Sequence, residues 1–287
     1  MEHPAPLPPE PVRLAAPDAE LYGERHGRGG RGLLFAHGLG QSRGAWRRSA
    51  ARLAAAGWQA LAVDARGHGD SGRNPPEQPY RTAQMVDDLV RWAAAFEAPP
   101  VLVGASMGGL TGLAAQALHR PFAALVLVDI TPRWEPEGVA RILAFMRAHA
   151  SGFDSVEHAI DAVAAHMPHR PRKSARALTD LLVRDDDGRL RWHWDPRLVE
   201  DIARDGDARQ HELLAAARAI DVPTLLVTGG ASDVVSGETI DEFLALVPHA
   251  RHQVIPHARH LVAGDDNDAF AQAVLDFLTP LQLRPAA

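Results

Sequence analysis

The run Val101-Leu102-Val103-Gly104-Ala105-Ser106-Met107-Gly108-Gly109-Leu110 constrains the chain more than any other stretch. An apolar segment of strand length stops abruptly at a serine held between glycines, and a helix-compatible segment follows. Glycine-x-serine-x-glycine is the pattern of a strand-to-helix turn so sharp that the serine oxygen stands exposed above the sheet edge. The glycines suit that geometry, because a side chain in either place would run into the neighbouring strand or helix. Five residues alone also fit an ordinary glycine-rich loop, so the surrounding chain has to decide.

Around this run, short apolar stretches alternate with segments of helical period. Gly32-Leu33-Leu34-Phe35-Ala36 and residues 58–63 precede the serine; residues 122–128, 222–227 and Gln253-Val254-Ile255 follow it. Most are continuously apolar, as strands buried on both faces of a parallel sheet must be. Helices are expected over 45–56, 82–98, 110–118, 238–247 and 268–278. In 82–98, Met85, Val86, Leu89, Trp92, Ala93 and Phe96 recur close to the 3.6-residue period, and Pro99-Pro100 supplies the stop. Upstream, 12–15 and 20–23 read as a hairpin turning at Pro17-Asp18. This alternation is the signature of a parallel sheet covered on both faces.

The rhythm changes from 133 to 218, where no convincing strand is visible. Three apolar faces recur at helical spacing there: Val139, Ile142, Leu143 and Met146; Val156, Ile160 and Val163; Leu178, Leu181 and Leu182. The reading is therefore a flexible proline-rich lead-in (1–10), an α/β core from 11–132 and 219–287, and an inserted helical cap over 133–218. With 287 residues, 46% hydrophobic and 23% charged, the chain can bury such a core. It has no cysteine, which excludes disulfides, thiolate metal sites and a cysteine nucleophile. The net charge of -6, with basic residues dispersed, argues against a nucleic-acid partner. Neither a signal-peptide core nor a membrane-spanning stretch is visible, so a cytoplasmic protein without membrane contact is expected.

A serine at neutral pH is a weak nucleophile and needs a histidine base, itself oriented by a carboxylate. On an elbow of this kind the chain order is nucleophile, acid, histidine, each following a strand. His260, in the loop after the last strand, is the first choice of base, with His257 as the alternative. Asp233 is the first choice of acid, with Asp129, which also ends a strand, as the alternative. The developing oxyanion needs backbone donors. The N–H of Met107 begins the elbow helix, and the N–H of Leu39 follows the tight His37-Gly38 turn.

Taken together, His37-Gly38-Leu39-Gly40, Asp64-Ala65-Arg66-Gly67-His68-Gly69-Asp70-Ser71, Gly104-Ala105-Ser106-Met107-Gly108, Ser232-Asp233 and His260 resemble the α/β-hydrolase superfamily. The likeness is to its capped esterase, lactonase and cofactor-free peroxidase-like members, over about residues 12–280. It implies an α/β-hydrolase fold: a mostly parallel sheet flanked by helices, with an inserted helical cap. It also implies Ser106 as nucleophile, Asp233 as acid, His260 as base, Leu39 and Met107 as oxyanion donors, and no cofactor or metal. Serine at the elbow separates the chain from the dehalogenase and epoxide-hydrolase branches, which carry aspartate there. Arg259 stands where that family usually has glycine before the histidine.

Trp134, Phe145, Met146, Phe153, Trp192 and Trp194 concentrate bulky apolar groups in the cap and are expected to line a substrate pocket, with His37 as a further contact. The expected substrate is an apolar carboxylic ester or lactone, cleaved through an acyl-enzyme. Perhydrolysis, amide or carbon–carbon cleavage by the same residues, and a non-catalytic small-molecule receptor, are the alternatives. Asp185-Asp186-Asp187-Gly188 lacks the ligand pattern of a calcium loop and reads as a solvated turn.

Overall fold

In the computed structural model, which describes residues 8–179 and 181–282, the apolar runs assemble into one eight-stranded sheet. In chain order come β1 (Glu10–Ala16), β2 (Ala19–His26), β3 (Gly32–Ala36), α1 (Arg47–Ala55), β4 (Gln59–Val63), α2 (Thr82–Ala93), β5 (Val101–Ala105), α3 (Met107–His119) and β6 (Ala124–Val128). An insertion follows: α4 (Pro136–Ala148), α5 (Val156–His166), α6 (Ala175–Thr179), β7 (Leu182–Arg184), β8 (Leu190–Trp192) and α7 (Arg197–Arg218). The sheet then resumes with β9 (Thr224–Gly229), α8 (Gly237–Leu246), β10 (Arg251–Ile255), α9 (Val262–Asp265) and α10 (Asn267–Gln282). The greater part of the proline-rich lead-in, residues 1–7, lies outside the described residues.

The strand order is β1-β2-β4-β3-β5-β6-β9-β10. The hairpin of β1 and β2 joins β4 antiparallel, and all later pairings are parallel. Because successive side chains on a strand point to opposite faces, the continuous apolar runs feed two cores. Leu33, Phe35, Val101, Val103 and Val126 face α1 and α10, where Trp46 and Phe270 pack. Leu34, Leu61, Leu102, Leu125 and Leu127 face the other way, toward Leu89 and Trp92 of α2 and Leu113 of α3.

Two local expectations are corrected. The helix expected to reach residue 98 ends at Ala93, and the amides of Ala95 and Phe96 make tighter bonds, to Trp92 and Ala93. This unwinding lays the Phe96 ring over Gly32, where a Cβ would come within 2.2 Å of it. The insertion, expected to lack strands, contains the hairpin of β7 and β8, extended by a bridge between Phe153 and Leu190. Its tip is the Asp185–Gly188 turn, where Arg191 pairs with both Asp185 and Asp187.

Candidate active site

From β3 the chain runs outward to β4, then returns past β3 to β5. In open α/β sheets such a reversal leaves a crevice at the carboxyl ends of the strands, where ligands bind. The register sets Ala36 opposite Gly104 and Ala105 opposite Val128. Ser106 and Asp129 therefore leave adjacent strands at one level, and His37 leaves the third one residue below them.

Ser106 sits at the turn between β5 and α3 with φ 47° and ψ −118°, outside the regions open to an unstrained L-residue. Its N–H donates to the Val128 carbonyl at 3.2 Å, which ties the elbow to the end of β6. The turn is possible only because the flanking residues are glycine. A Cβ on Gly104 would lie 2.7 Å from the Gly108 oxygen, and one on Gly108 would lie 2.5 Å from the Ala36 oxygen. Met107 then begins α3, where first-turn N–H groups have no partner within the helix and the dipole favours negative charge.

His260 Nδ1 lies 3.0 Å from Asp129 Oδ2. Asp129 is fully buried, and its Oδ1 accepts the Gly229 N–H at 2.8 Å while Oδ2 also accepts the Ser232 hydroxyl at 2.5 Å. Like Ser106, it has a positive φ, 50°. The first choice of acid is thus corrected: Asp233 does not meet His260 but turns to the surface, 3.2 Å from Arg141. Asp129 directly follows β6, the neighbour of β5, and its carboxylate is held by the Gly229 N–H and the Ser232 hydroxyl, whereas Asp233 stands four residues beyond the end of β9. The loop after β10 reaches back across β9 because Gly229 has no side chain; a Cβ there would meet the Ala258 oxygen at 2.5 Å. The Arg259 N–H donates to Asp265, which also binds Arg170, so this loop is held without a glycine before His260. His257 is exposed.

The turn after β3 is held by side chains from the Asp64–Ser71 segment. Gly38 donates its N–H to Gln41 Oε1, and Gly40 donates its own to His68 Nε2 at 3.1 Å. The Leu39 N–H between them has no hydrogen-bond partner among the described residues. His37 is not a substrate contact: it is 1% exposed, its Nε2 accepts the Ala65 N–H, and its Nδ1 faces the Gly38 carbonyl. His193 Nδ1 accepts the Gly69 N–H in the same way. All three rings accept backbone protons and so are neutral. Burial pushes His37 below the usual imidazole value, His68 well below it, and His193 down to about 4. Beneath them Arg66 forks onto Asp88, both buried, and Asp64 receives the Arg43 side chain.

Ser106, Met107, Leu39 and His260 line one cavity of about 950 Å³. Of the bulky insertion residues expected there, only Trp134 lines it. Phe145, Met146, Phe153, Trp192 and Trp194 are corrected to packing roles. Phe145 stacks on His166 at 4.2 Å, Phe153 meets Trp192 edge-on at 5.1 Å, and Trp192 stacks on Trp194 at 6.5 Å. Met146 instead abuts Gly40, where a Cβ would meet its terminal carbon at 3.0 Å. Much of the lining is aliphatic, Val139, Ile142 and Leu143 of α4 together with Leu110, Ala114 and Ala117 of α3, and Arg147, Arg209, His211 and Glu212 also contribute. No three His, Asp or Glu side chains cluster as metal ligands among the described residues. No helix among those residues is long and apolar enough to cross a membrane.

The model of the alpha/beta hydrolase family matches residues 33–273, and the chain belongs to that family. It is 30% identical over 268 residues to the sn-1-specific diacylglycerol lipase ABHD11 of Mus musculus, covering 86% of this chain and 80% of the relative. It is 31% identical over 228 residues to a pimeloyl-[acyl-carrier protein] methyl ester esterase of Neisseria meningitidis serogroup B, covering 74% and 78%. Among solved structures, E-2-(acetamidomethylene)succinate hydrolase superposes with a TM-score of 0.83 at 25% identity, over 94% of this chain and 99% of that one. Homologues of the chain are ester hydrolases and other hydrolases, and hydrolase chemistry is the activity they support.

Proposed function

We propose that the chain is a serine hydrolase of carboxylic esters, lactones included, with Ser106 as nucleophile, His260 as base and Asp129 as acid. The observation that carries this reading is the His260–Asp129 pair, set at a cavity that also holds Ser106 in a strained turn. A positive φ on serine costs about 1–3 kcal/mol, which a binding module gains nothing from and an exposed nucleophile requires. The names of the relatives, a diacylglycerol lipase and a methyl ester esterase, favour esters over amides.

With Nδ1–H donated to Asp129, the imidazole presents Nε2 as the base. Ser106 Oγ attacks the ester carbonyl carbon as Nε2 takes its proton. The carbonyl oxygen becomes an oxyanion and accepts from the N–H groups of Leu39 and Met107. The intermediate collapses, the carbon–oxygen bond to the alcohol breaks, and His260 returns its proton to the departing alkoxide. Water then attacks the acyl-enzyme, giving its proton to Nε2, and the second intermediate releases the acid while Ser106 Oγ is reprotonated. Asp129 stays ionised and holds the ring in its tautomer. Residues 133–218 act as the cap, with Trp134, Val139, Ile142 and Leu143 over the nucleophile.

The test is a serine-directed fluorophosphonate read by intact mass, alongside hydrolysis of p-nitrophenyl butyrate. One adduct on the unaltered protein, none on Ser106→Ala, and loss of turnover in that variant are expected. An unlabelled protein without esterase activity, or a Ser106→Ala variant that still turns over, overturns the reading.

A further inference from the structure

The cavity extends far beyond the nucleophile. Along α3 it is lined by Met107, Leu110, Thr111, Ala114, Ala117 and Leu118. These positions recur every three or four residues, so they form one stripe on the helix. The stripe begins beside Ser106 and ends at Leu118, which is 71% exposed, the most exposed large apolar side chain among the described residues. At 1.5 Å per residue it is about 16 Å long. The opposing walls are α4, through Val139 and Leu143, and α7, through Leu213 and Ala216, with Ala219 just past its end; Arg147, Arg209, His211 and Glu212 also line the cavity. The alanines on the two facing helices keep the space between them open along its length.

Resting on the reading of Ser106 as an ester-cleaving nucleophile, we infer that this trough holds one unbranched alkyl chain of the substrate, about a dozen carbons long. The length follows from the stripe: an extended chain advances about 1.2 Å per backbone bond, so about 16 Å takes about thirteen bonds. A compact ring would fill only the end at Ser106 and leave the apolar stripe to water, so an extended chain matches the stripe better. The open end at Leu118 lets a longer chain protrude, so longer esters are accepted with no further gain.

Two series of esters measure this. One is p-nitrophenyl esters from butyrate through hexanoate, octanoate, decanoate and dodecanoate to palmitate; the other is butyrate esters of linear alcohols of the same lengths. The kcat/KM of at least one series is expected to climb about fourfold per added methylene at first, as burial of a methylene dictates, and to level off near twelve carbons. The series that climbs tells whether the chain lies on the acyl or the alcohol side. In Ala114→Phe, which plugs the trough about 10 Å from Met107 along the helix, the twelve-carbon-to-four-carbon ratio of the climbing series should fall at least tenfold. If Ala114→Phe does not fold, Ki values for alkyl trifluoromethyl ketones of the same lengths on the unaltered protein read the same trough and must fall with length. Turnover of butyrate through Ser106 with no rise in either series, or a ratio indifferent to Ala114→Phe, overturns the inference while leaving the esterase reading intact. Absence of turnover at every length overturns the esterase reading itself.

Discussion

His260 Nδ1 lies 3.0 Å from the Oδ2 of Asp129, a carboxylate 131 positions earlier in the chain that directly follows β6. The same oxygen accepts the hydroxyl of Ser232 at 2.5 Å, and the other accepts the Gly229 N–H. The last residue of β9 and a serine three positions beyond it thus donate to a carboxylate that follows β6. The two strands pair in register, with Val128 opposite Val227, which brings their trailing residues together.

With Asp129 as the proposed acid, Ser232 is a positioning residue for it. Ser232→Ala removes a hydrogen bond to a charged group, a contribution of about 1.5–3 kcal/mol. We expect kcat on p-nitrophenyl butyrate to fall about tenfold or more with KM nearly constant, and Ser232→Thr to recover most of it. A rise in KM at constant kcat would point to substrate binding instead.

His68 positions the oxyanion turn through its acceptance of the Gly40 N–H. His68→Leu leaves that buried N–H without its acceptor, and the Leu39 amide beside it loses its fixed direction. A fall in kcat of about tenfold to a hundredfold is expected, because one oxyanion donor is worth up to about a thousandfold. KM should change little, and His68→Gln, which keeps an acceptor, should restore part of the rate. Equal loss in both variants would make the residue a packing element only.

The neutral histidines also set an acid limit on stability. Burial lowers His37, His68 and His193 in the folded state, so below about pH 6.5 the unfolded chain takes up protons that the native chain refuses. Their stabilising contribution is whole above that value and declines as pH falls, down to about pH 4 for His193. His193 alone withdraws about 2 kcal/mol between pH 7 and pH 5, and the other two act with the same sign. Thermal melts should show a Tm several degrees lower at pH 5 than at pH 7.5, and His193→Gln should flatten that dependence. Equal Tm values at the two pH values would contradict the neutral assignment.

The parts of the site that a reader of the sequence could find are those made by neighbours in the chain. The elbow is local: Gly104, Ser106 and Gly108 fall within five residues, and the steric demand they answer acts between adjacent turns of backbone. The choice between Asp129 and Asp233 is not local. Both follow strands; the pairing of β6 with β9 brings the Gly229 N–H and the Ser232 hydroxyl onto Asp129, and it is this fixed carboxylate that meets His260. Ser232 was visible beside Asp233, but its role depends on that same pairing. The insertion's aromatics stand out in the sequence as a group, but composition does not say which way they face. Phe153 packs on Trp192, and of the group only Trp134 lines the cavity, beside alanine, valine and leucine. The hairpin of β7 and β8 is not legible in the sequence because its strands are three residues each, too short for alternation to show.

The most direct measurement is the kcat/KM of Asp129→Asn and Asp233→Asn, side by side, on p-nitrophenyl butyrate. With Asp129 as the acid, its amide stabilises the wrong tautomer of His260, and kcat/KM should drop about a thousandfold to ten-thousandfold. Asp233→Asn breaks only a solvent-exposed pair with Arg141 and should stay within about threefold of the unaltered protein. A severe loss in Asp233→Asn with activity retained in Asp129→Asn would contradict the assignment of Asp129, His260 and Ser106 as the catalytic triad.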